Sequence, residues 1–161
     1  MRKTVFLALS VLLVVSCVGA ALAAEEVAPK YMTMEVQILG GPTAVFQDLL
    51  AKNEHTLLVF YQAACSACRG ELTLLRDKYA DRKNLKILGV SVDVRPELAS
   101  KFKSDWKLPF EVLSDPDYKI PSVFNISATP ACVLLEKDGK IAKKFFGYDS
   151  SFEGQLEAAL K

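Results

Sequence analysis

Between positions 56 and 72 the sequence reads TLLVFYQAACSACRGEL, and this stretch decides the fold. Its first six residues, Thr56–Tyr61, form a continuous apolar, β-prone run, which is typical of a strand covered on both faces. We predict a helix over residues 65–80, because Leu72 and Leu75 fall on one helical face. The sequence therefore predicts a buried strand that leads into a helix, with two cysteines at the junction.

The position of the Cys65-Ser66-Ala67-Cys68 motif at this junction carries the chemistry. A thiolate at a helix N-terminus is stabilised by unpaired backbone N–H groups and by the positive end of the helix dipole. The pKa of such a cysteine falls from about 8.5 into the range of about 3.5–7.5, so the sulfur is a nucleophile near neutral pH. We expect Cys65, at the mouth, to attack a partner disulfide. Cys68, one turn further in, would resolve the mixed disulfide by attacking Cys65.

Two other interpretations of the motif are open. A structural disulfide between residues three apart closes too small a loop to restrain the unfolded chain much. A zinc site needs four ligands. The candidates are Cys65, Cys68, Cys132 and the single His55, and none has a paired spacing. We therefore favour redox chemistry and predict no metal site.

The rest of the chain alternates predicted strands and helices. We predict strands over 33–39, 56–61, 85–93, 131–136 and 141–146, helices over 43–52, 65–80, 96–106 and 152–160, and a loop-rich stretch over 109–125. Strands separated by helices imply a parallel central sheet. Asp138-Gly139 is a strong hairpin signal and adds an antiparallel edge. No internal repeat or second domain is visible.

Composition and charge limit the possible functions. The 161 residues allow one domain of ordinary size. With 51% hydrophobic and 24% charged residues, the chain is neither low-complexity nor disordered. The 20 Lys and Arg residues against 19 Asp and Glu leave no basic excess to hold nucleic acid. The function must therefore come from a site and not from the overall charge.

The first 24 residues have the pattern of an export signal. Arg2 and Lys3 precede a short apolar run and then small residues through Ala24, which describes a secretory signal peptide. An uncleaved membrane anchor is the alternative, because the uncharged stretch Thr4–Ala24 is long enough to span a bilayer. Either version delivers the globular part outside the cytosol.

Two cleavage points compete in this segment. Ala21-Leu22-Ala23 fits a small-x-small site, with release near Ala24 or Glu25. Val14-Val15-Ser16-Cys17 resembles a bacterial lipobox, in which Cys17 would be lipidated and would tether the protein to the membrane. We predict that residues 25–32 form a tether and that residues 33–161 form the folded domain.

The residues from Val59 to Leu72 resemble the active-site segment of thioredoxin-fold proteins, in particular the exported TlpA/ResA-like thiol–disulfide oxidoreductases. Ala128-Thr129-Pro130 is similar to the cis-proline loop of this family, and residues 134–140 are similar to its strand and turn ending in Asp-Gly. The likeness covers roughly residues 33–160 in element order. It implies a thioredoxin-like three-layer α/β/α sandwich whose mixed central sheet has three parallel strands plus an antiparallel C-terminal hairpin.

The resemblance also implies roles for individual residues. Glu71 matches a glutamate that ResA-like proteins carry three residues after the second cysteine. It could accept the proton of Cys68 if burial raises its pKa, whereas the alternative is a solvated surface glutamate. A cis peptide bond at Thr129–Pro130, packed against the cysteine pair, would let Thr129 offer its backbone to an extended substrate segment. Ala64 stands where the family usually has an aromatic residue, and we group it with Thr129 and Pro130 as substrate-binding.

Cys132 lies two residues after Pro130 and has two interpretations. It is a small hydrophobic core residue, or else a third redox partner for Cys65 or a mixed-disulfide trap.

The resemblance implies an exported enzyme that exchanges disulfides with protein substrates, acting as a reductase in a process such as cytochrome c maturation. A membrane thiol–disulfide electron donor would re-reduce it, and it would need no cofactor. A peroxiredoxin-type thiol peroxidase shares the fold, but Cys65 occupies the place where peroxiredoxins usually have Thr, three residues before Cys68. A Cu(I) chaperone is a further alternative, since soft thiolates suit Cu(I).

Overall fold

The computed structural model of the protein describes residues 29–50 and 55–161. After a short 3-10 turn over Lys30–Thr33, the elements in chain order are β1 (Glu35–Ile38), β2 (Thr43–Val45), α1 (Phe46–Leu50), β3 (His55–Tyr61), α2 (Ser66–Leu74), β4 (Leu85–Ser91), α3 (Pro96–Asp105), β5 (Glu111–Ser114), α4 (Lys119–Val123), β6 (Ala131–Glu136), β7 (Ile141–Phe146) and α5 (Phe152–Ala159). A wider helical turn, Leu75–Tyr79, continues α2.

The described strands form one mixed sheet in the order β2-β1-β5-β4-β3-β6-β7. Strands β3, β4 and β5 are parallel, and β6 and β7 add an antiparallel hairpin beside β3. This confirms the predicted mixed sheet with three parallel strands and an antiparallel C-terminal hairpin. The identity of one parallel strand differs from the prediction. The first strand, β1, pairs antiparallel with β5, and β5 itself is the third parallel strand.

Two apolar clusters lie on opposite faces of the sheet, which makes the three layers. Along β3, Leu57, Val59 and Tyr61 pack into the cluster that holds α2, α3 and α5. The intervening Leu58 and Phe60 pack into the cluster that holds α1, α4 and the N-terminal turn. Because successive side chains of a strand point to opposite faces, a strand covered on both sides must be apolar throughout. The continuous apolar run of the sequence is therefore explained by burial on both faces.

The helix predicted over 43–52 is wrong in its first part. Thr43–Val45 is strand β2, which pairs antiparallel with β1, and only Phe46–Leu50 is helical among the described residues. Gly40, at φ +71°, lets the chain reverse within a few residues, so the strand after the turn can pair with β1. The apolar spacing of this segment suited a helix, but the tight turn before it decided the structure.

The stretch predicted as loop over 109–125 contains two elements. Glu111–Ser114 forms β5, and Lys119–Val123 forms α4. Both are short, and Pro109, Pro116 and Pro121 interrupt the local pattern. The β5 strand is stabilised by its ladder with β4, which is a long-range contact that local periodicity does not reveal.

The N-terminal boundary of the folded domain also differs from the prediction. Lys30–Thr33, most of which was assigned to the tether, forms a 3-10 turn with Met32 buried. The Tyr31 hydroxyl donates a hydrogen bond to the carbonyl of Gly139 in the β6–β7 turn, which ties this segment to the sheet. The predicted signal peptide over 1–24, Cys17 and residues 25–28 of the tether lie outside the described residues. Within residues 29–50 and 55–161, no helix has the length and apolar character needed to cross a membrane.

Candidate active site

The candidate site lies where the parallel strands end. Tyr61 at the end of β3 pairs with Ser91 of β4, and the chain then turns through residues 62–64 into α2. Both backbone polar groups of Ala63 in this turn form hydrogen bonds with side chains. Its N–H donates to the Asp93 carboxylate at 3.0 and 3.2 Å, and its carbonyl accepts from the Arg69 guanidinium at 3.3 Å. The backbone immediately before the cysteine motif is thereby fixed to the segment after β4 and to α2.

The two cysteines of the motif form a disulfide, with their Cα atoms 5.3 Å apart. Cys65 is the N-cap residue of α2, and its Sγ accepts a hydrogen bond from the backbone N–H of Cys68 at 3.1 Å. Cys65 is partly exposed, whereas Cys68 is fully buried. The helix therefore presents one sulfur to solvent at its positive end and keeps the other behind it.

Glu71 lies one turn after Cys68 and is fully buried, so it is not a solvated surface residue. Residues three apart on a helix are neighbours on one face, which brings its carboxyl group to the side of Cys68. Burial raises the pKa of Glu71 from its ordinary value of 4.5 to about 7, and a hydrogen bond from Cys132 opposes part of that rise. Oε2 of Glu71 is buried and has no hydrogen-bond partner among the described residues. The carboxyl group can therefore gain or lose a proton near neutral pH inside the protein.

Cys132 lies on β6, an interior strand between β3 and β7, and is fully buried, with its thiol donating to Oε1 of Glu71 at 3.2 Å. Burial and the adjacent carboxylate raise the pKa of Cys132 well above that of a free thiol. Such a thiol keeps its proton and is a poor nucleophile. Cys132 is thus more than a small hydrophobe, because it donates a hydrogen bond to the buried carboxyl group of Glu71.

The loop before β6 reaches the same end of the sheet. Ala131 pairs with Phe60 of β3, so Thr129 and Pro130 lie level with the end of β3. The Thr129–Pro130 peptide bond is cis, and the Pro130 carbonyl accepts from the N–H of Gly147 at 2.9 Å. Thr129 is half-buried and Pro130 is buried. Ala64, in the turn between β3 and α2, is exposed.

The sequence prediction missed Asp93 and Arg69. Asp93 is buried and accepts hydrogen bonds from Ala63 and from the Ser91 hydroxyl, the latter at 2.8 Å. Arg69 lies over the Trp106 ring, 5.8 Å from its centroid, while it contacts Ala63. An acidic residue directly after a buried strand was the available signal for Asp93, because the carboxyl ends of parallel strands gather functional groups.

The peroxidase alternative meets an obstacle in this geometry. A peroxidatic Cys68 would have to reach peroxide, but its side chain is fully buried. Across the part of the chain that the structure describes, no three His, Cys, Asp or Glu side chains are grouped as metal ligands.

Residues 26–144 match the AhpC/TSA family model. The chain is 25% identical over 136 residues to the thiol-disulfide oxidoreductase ResA of Bacillus thuringiensis, covering 83% of this chain and 75% of that protein.

Solved structures share the fold. The thioredoxin domain of a thiol-disulfide oxidoreductase from Bacteroides vulgatus has a TM-score of 0.64 and 25% identity, covering 78% of this chain and 92% of that one. A secreted disulfide oxidoreductase from Mycobacterium tuberculosis has a TM-score of 0.68 and 21% identity, covering 83% of this chain and 98% of that one. The chain therefore belongs to the AhpC/TSA family, and it is a thiol–disulfide oxidoreductase of the thioredoxin fold with Cys65 and Cys68 as its redox pair.

Proposed function

We propose that this protein is an exported reductase of protein disulfides in which Cys65 attacks, Cys68 resolves and Glu71 takes the proton of Cys68. One observation carries the proposal. A partly exposed sulfur caps α2, and a buried sulfur and a buried carboxyl group lie behind it within the first two turns of the helix.

The first step uses the capped sulfur. In the reduced protein, the Cys65 thiolate attacks one sulfur of a substrate disulfide, and the other substrate sulfur leaves as a thiolate and takes a proton from water. The Cys68 N–H that reaches the Cys65 sulfur in the oxidised protein, at 3.1 Å, is also placed to stabilise the thiolate. The product is a mixed disulfide between Cys65 and the substrate.

The second step uses the buried groups. Cys68 gives its proton to the carboxylate of Glu71 and attacks the Cys65 sulfur, and the second substrate thiolate leaves. Two electrons have then passed from the cysteine pair to the substrate, and the Cys65–Cys68 disulfide is the form seen here. Because water has little access to Cys68, a proton acceptor inside the protein is needed, and the pKa of about 7 suits Glu71 to that task.

Substrate binding is assigned to Ala64, Thr129 and Pro130. Ala64 is exposed next to the nucleophile, and it leaves room for a substrate chain where a larger side chain would block it. The half-buried Thr129 lies in the loop before β6, level with the end of β3, and its backbone there could pair with an extended substrate segment as an added strand. Protein thiols and disulfides in flexible segments, such as those of an apocytochrome c, fit this mode.

The proposal includes export and a membrane electron donor. Support for export comes from the signal-like residues 1–24 and from similarity to a protein described as secreted. Mass spectrometry of the mature protein tests it. A chain that begins at Ala24 or Glu25 indicates cleavage by a signal peptidase, and a diacylated N-terminal Cys17 indicates a lipoprotein. An intact Met1 in the membrane fraction indicates the uncleaved anchor, whereas an intact Met1 in the cytosolic fraction contradicts export.

Trapping tests the assigned roles of the cysteines. In Cys68→Ser the resolving thiol is absent, so Cys65 should remain joined to its substrate, which can be identified after non-reducing electrophoresis. The control is Cys65→Ser, in which the partly exposed sulfur is absent and no comparable adduct should form. Equal trapping by both variants, or by neither, would contradict the proposal.

The redox potential of the cysteine pair tests the direction of electron transfer, from the enzyme to its substrate. A reductase should have a potential nearer to that of thioredoxin, about −270 mV, than to that of DsbA, about −120 mV. Equilibration of the cysteine pair with glutathione or dithiothreitol gives the value. A potential near that of DsbA would make the protein an oxidant of thiols.

A further inference from the structure

We propose that Cys132 is a positioning residue for proton transfer: its thiol holds Oε1 of Glu71 and leaves Oε2 as the oxygen that exchanges a proton with Cys68. The inference rests on the proposed function, since it assigns the group that controls the proton acceptor of that mechanism. It concerns a residue that neither attacks a substrate nor forms a disulfide here.

Cys132 and Glu71 are in direct contact in the interior of the domain. The Cys132 sulfur lies 3.2 Å from Oε1 of Glu71, and both side chains are fully buried. Cys132 is opposite Val59 on β3 and Phe145 on β7, so it is held between two strands of the sheet. A donor on such a rigid element fixes the orientation of the carboxyl group that it binds.

The two carboxyl oxygens have different surroundings. Oε1 accepts from Cys132, whereas Oε2 has no partner among the residues that the structure describes, although it is buried. A buried oxygen without a hydrogen-bond partner is energetically unfavourable. Such an oxygen indicates a functional role, here that of a group that exchanges a proton at some stage of the reaction. Cys68, on the same face of α2, carries the thiol that must lose its proton when it resolves the mixed disulfide.

Cys132 is suited to donate throughout the reaction. Burial and the neighbouring carboxylate raise the pKa of its thiol, so it holds its proton at any pH at which the enzyme works. A permanent donor stabilises the carboxylate form of Glu71 and opposes the effect of burial. The same property disfavours the alternative in which Cys132 is a third redox partner for Cys65.

The other titratable groups near Glu71 do not compete with this contact. Among the hydrophobic residues packed around Cys68 and Cys132, the titratable side chains are Cys65, Tyr61, Tyr79 and Tyr148. Cys65 is in the disulfide, and burial raises the pKa of both Tyr61 and Tyr79, so these two phenols stay neutral. Burial and the Cys132 thiol are the two causes of the Glu71 shift.

A matched pair of variants tests the inference. Cys132→Val removes the donor, and Cys132→Thr keeps a hydroxyl donor in nearly the same volume. The readout is the carboxyl carbon of Glu71, followed by NMR against pH in the oxidised protein labelled with ¹³C-glutamate and assigned with Glu71→Gln.

We expect the midpoint of the Glu71 titration to lie about one pH unit higher in Cys132→Val than in Cys132→Thr. This is the shift that corresponds to one lost hydrogen bond. Such a shift lowers the carboxylate fraction at pH 7 about fivefold, and the second step should slow by a similar factor. Cys132→Thr should titrate close to the wild type. Equal midpoints in the two variants would overturn the inference.

Two further controls separate the possible failures. If Cys132→Val does not fold, the smaller pair Cys132→Ala and Cys132→Ser provides the same comparison. The Glu71 titration does not depend on any substrate. Failure of disulfide exchange by the wild-type protein would therefore contradict the proposed function, whereas equal midpoints in an active enzyme would contradict only the role of Cys132.

Discussion

Asp93 and Ala63 are thirty positions apart in the chain, yet both carboxylate oxygens of Asp93 lie within hydrogen-bond distance of the Ala63 N–H, at 3.0 and 3.2 Å. The contact joins the end of β4 to the turn that leads into Cys65. The parallel pairing of Tyr61 with Ser91 brings the two segments side by side. The position of the nucleophile therefore depends on a carboxylate outside the cysteine motif.

Replacement of Asp93 should weaken both the fold and the site. In Asp93→Ala the Ala63 N–H and the Ser91 hydroxyl lose their acceptor, which costs about 1–3 kcal/mol of unfolding free energy. The loosened turn should also slow reduction of a small aromatic disulfide several-fold. Asp93→Asn retains one acceptor oxygen and should lose less. The control is Asp117→Ala at an exposed position, and an Asp93→Ala protein as stable as this control would contradict the prediction.

Glu71 should make the protein less stable as the pH rises. The carboxyl group binds its proton more tightly in the folded state, with a pKa of about 7 against 4.5 when unfolded. Its contribution to stability is therefore fully present below pH 4.5 and is lost as the pH rises through about 7. Between pH 4 and pH 8 the oxidised wild type should lose up to about 3 kcal/mol relative to Glu71→Gln. Urea unfolding of both proteins measures this, and parallel pH profiles would show that Glu71 does not titrate in this range.

A charge placed beside Cys65 should change its reactivity. Ala64 is exposed and precedes the helix cap, so a side chain can be added there without disturbing the core. Ala64→Glu should raise the pKa of the reduced Cys65 thiol by about half to one unit through repulsion of the thiolate. Ala64→Gln has nearly the same shape without the charge and should have little effect. The measurement is the alkylation rate against pH, and identical profiles for the two variants would exclude the charge effect.

The three cysteines of the domain should react with an alkylating agent in a fixed order. Cys65 is partly exposed, whereas Cys68 and Cys132 are fully buried. In the reduced native protein, iodoacetamide should label Cys65 first and should reach the other two only on unfolding. Peptide mapping after short exposure measures this, with protein labelled in guanidinium as the reference. Labelling of Cys68 at the rate of Cys65 would contradict the assignment of a buried resolving thiol.

The long elements of the fold could be predicted because their patterns are local. The apolar run of β3 and the Asp138-Gly139 turn can each be predicted from a few consecutive residues. β2 and β5 were missed because each is short and gains its stability from a distant partner strand. In short segments, tertiary pairing outweighs local preference.

The candidate site, like the fold, could be predicted only where its features are local in the sequence. The positions of Cys65 and Cys68 at the start of a helix followed from spacing and from the strand before them. The partners of Asp93 and Cys132 could not be predicted, because they depend on the register of β4 with β3 and on the packing of α2 against β6. The burial of Glu71 likewise depends on that packing.

The ionisation of Cys65 tests the central claim most directly. In reduced Cys68→Ser, thiolate absorbance in the ultraviolet followed against pH should show a Cys65 pKa clearly below the value of about 8.5 for a free thiol, because the sulfur caps α2. An unfolded sample of the same variant provides the reference. A titration that coincides with that reference would mean that the helix does not activate this sulfur, and the account of its nucleophilic role would be wrong.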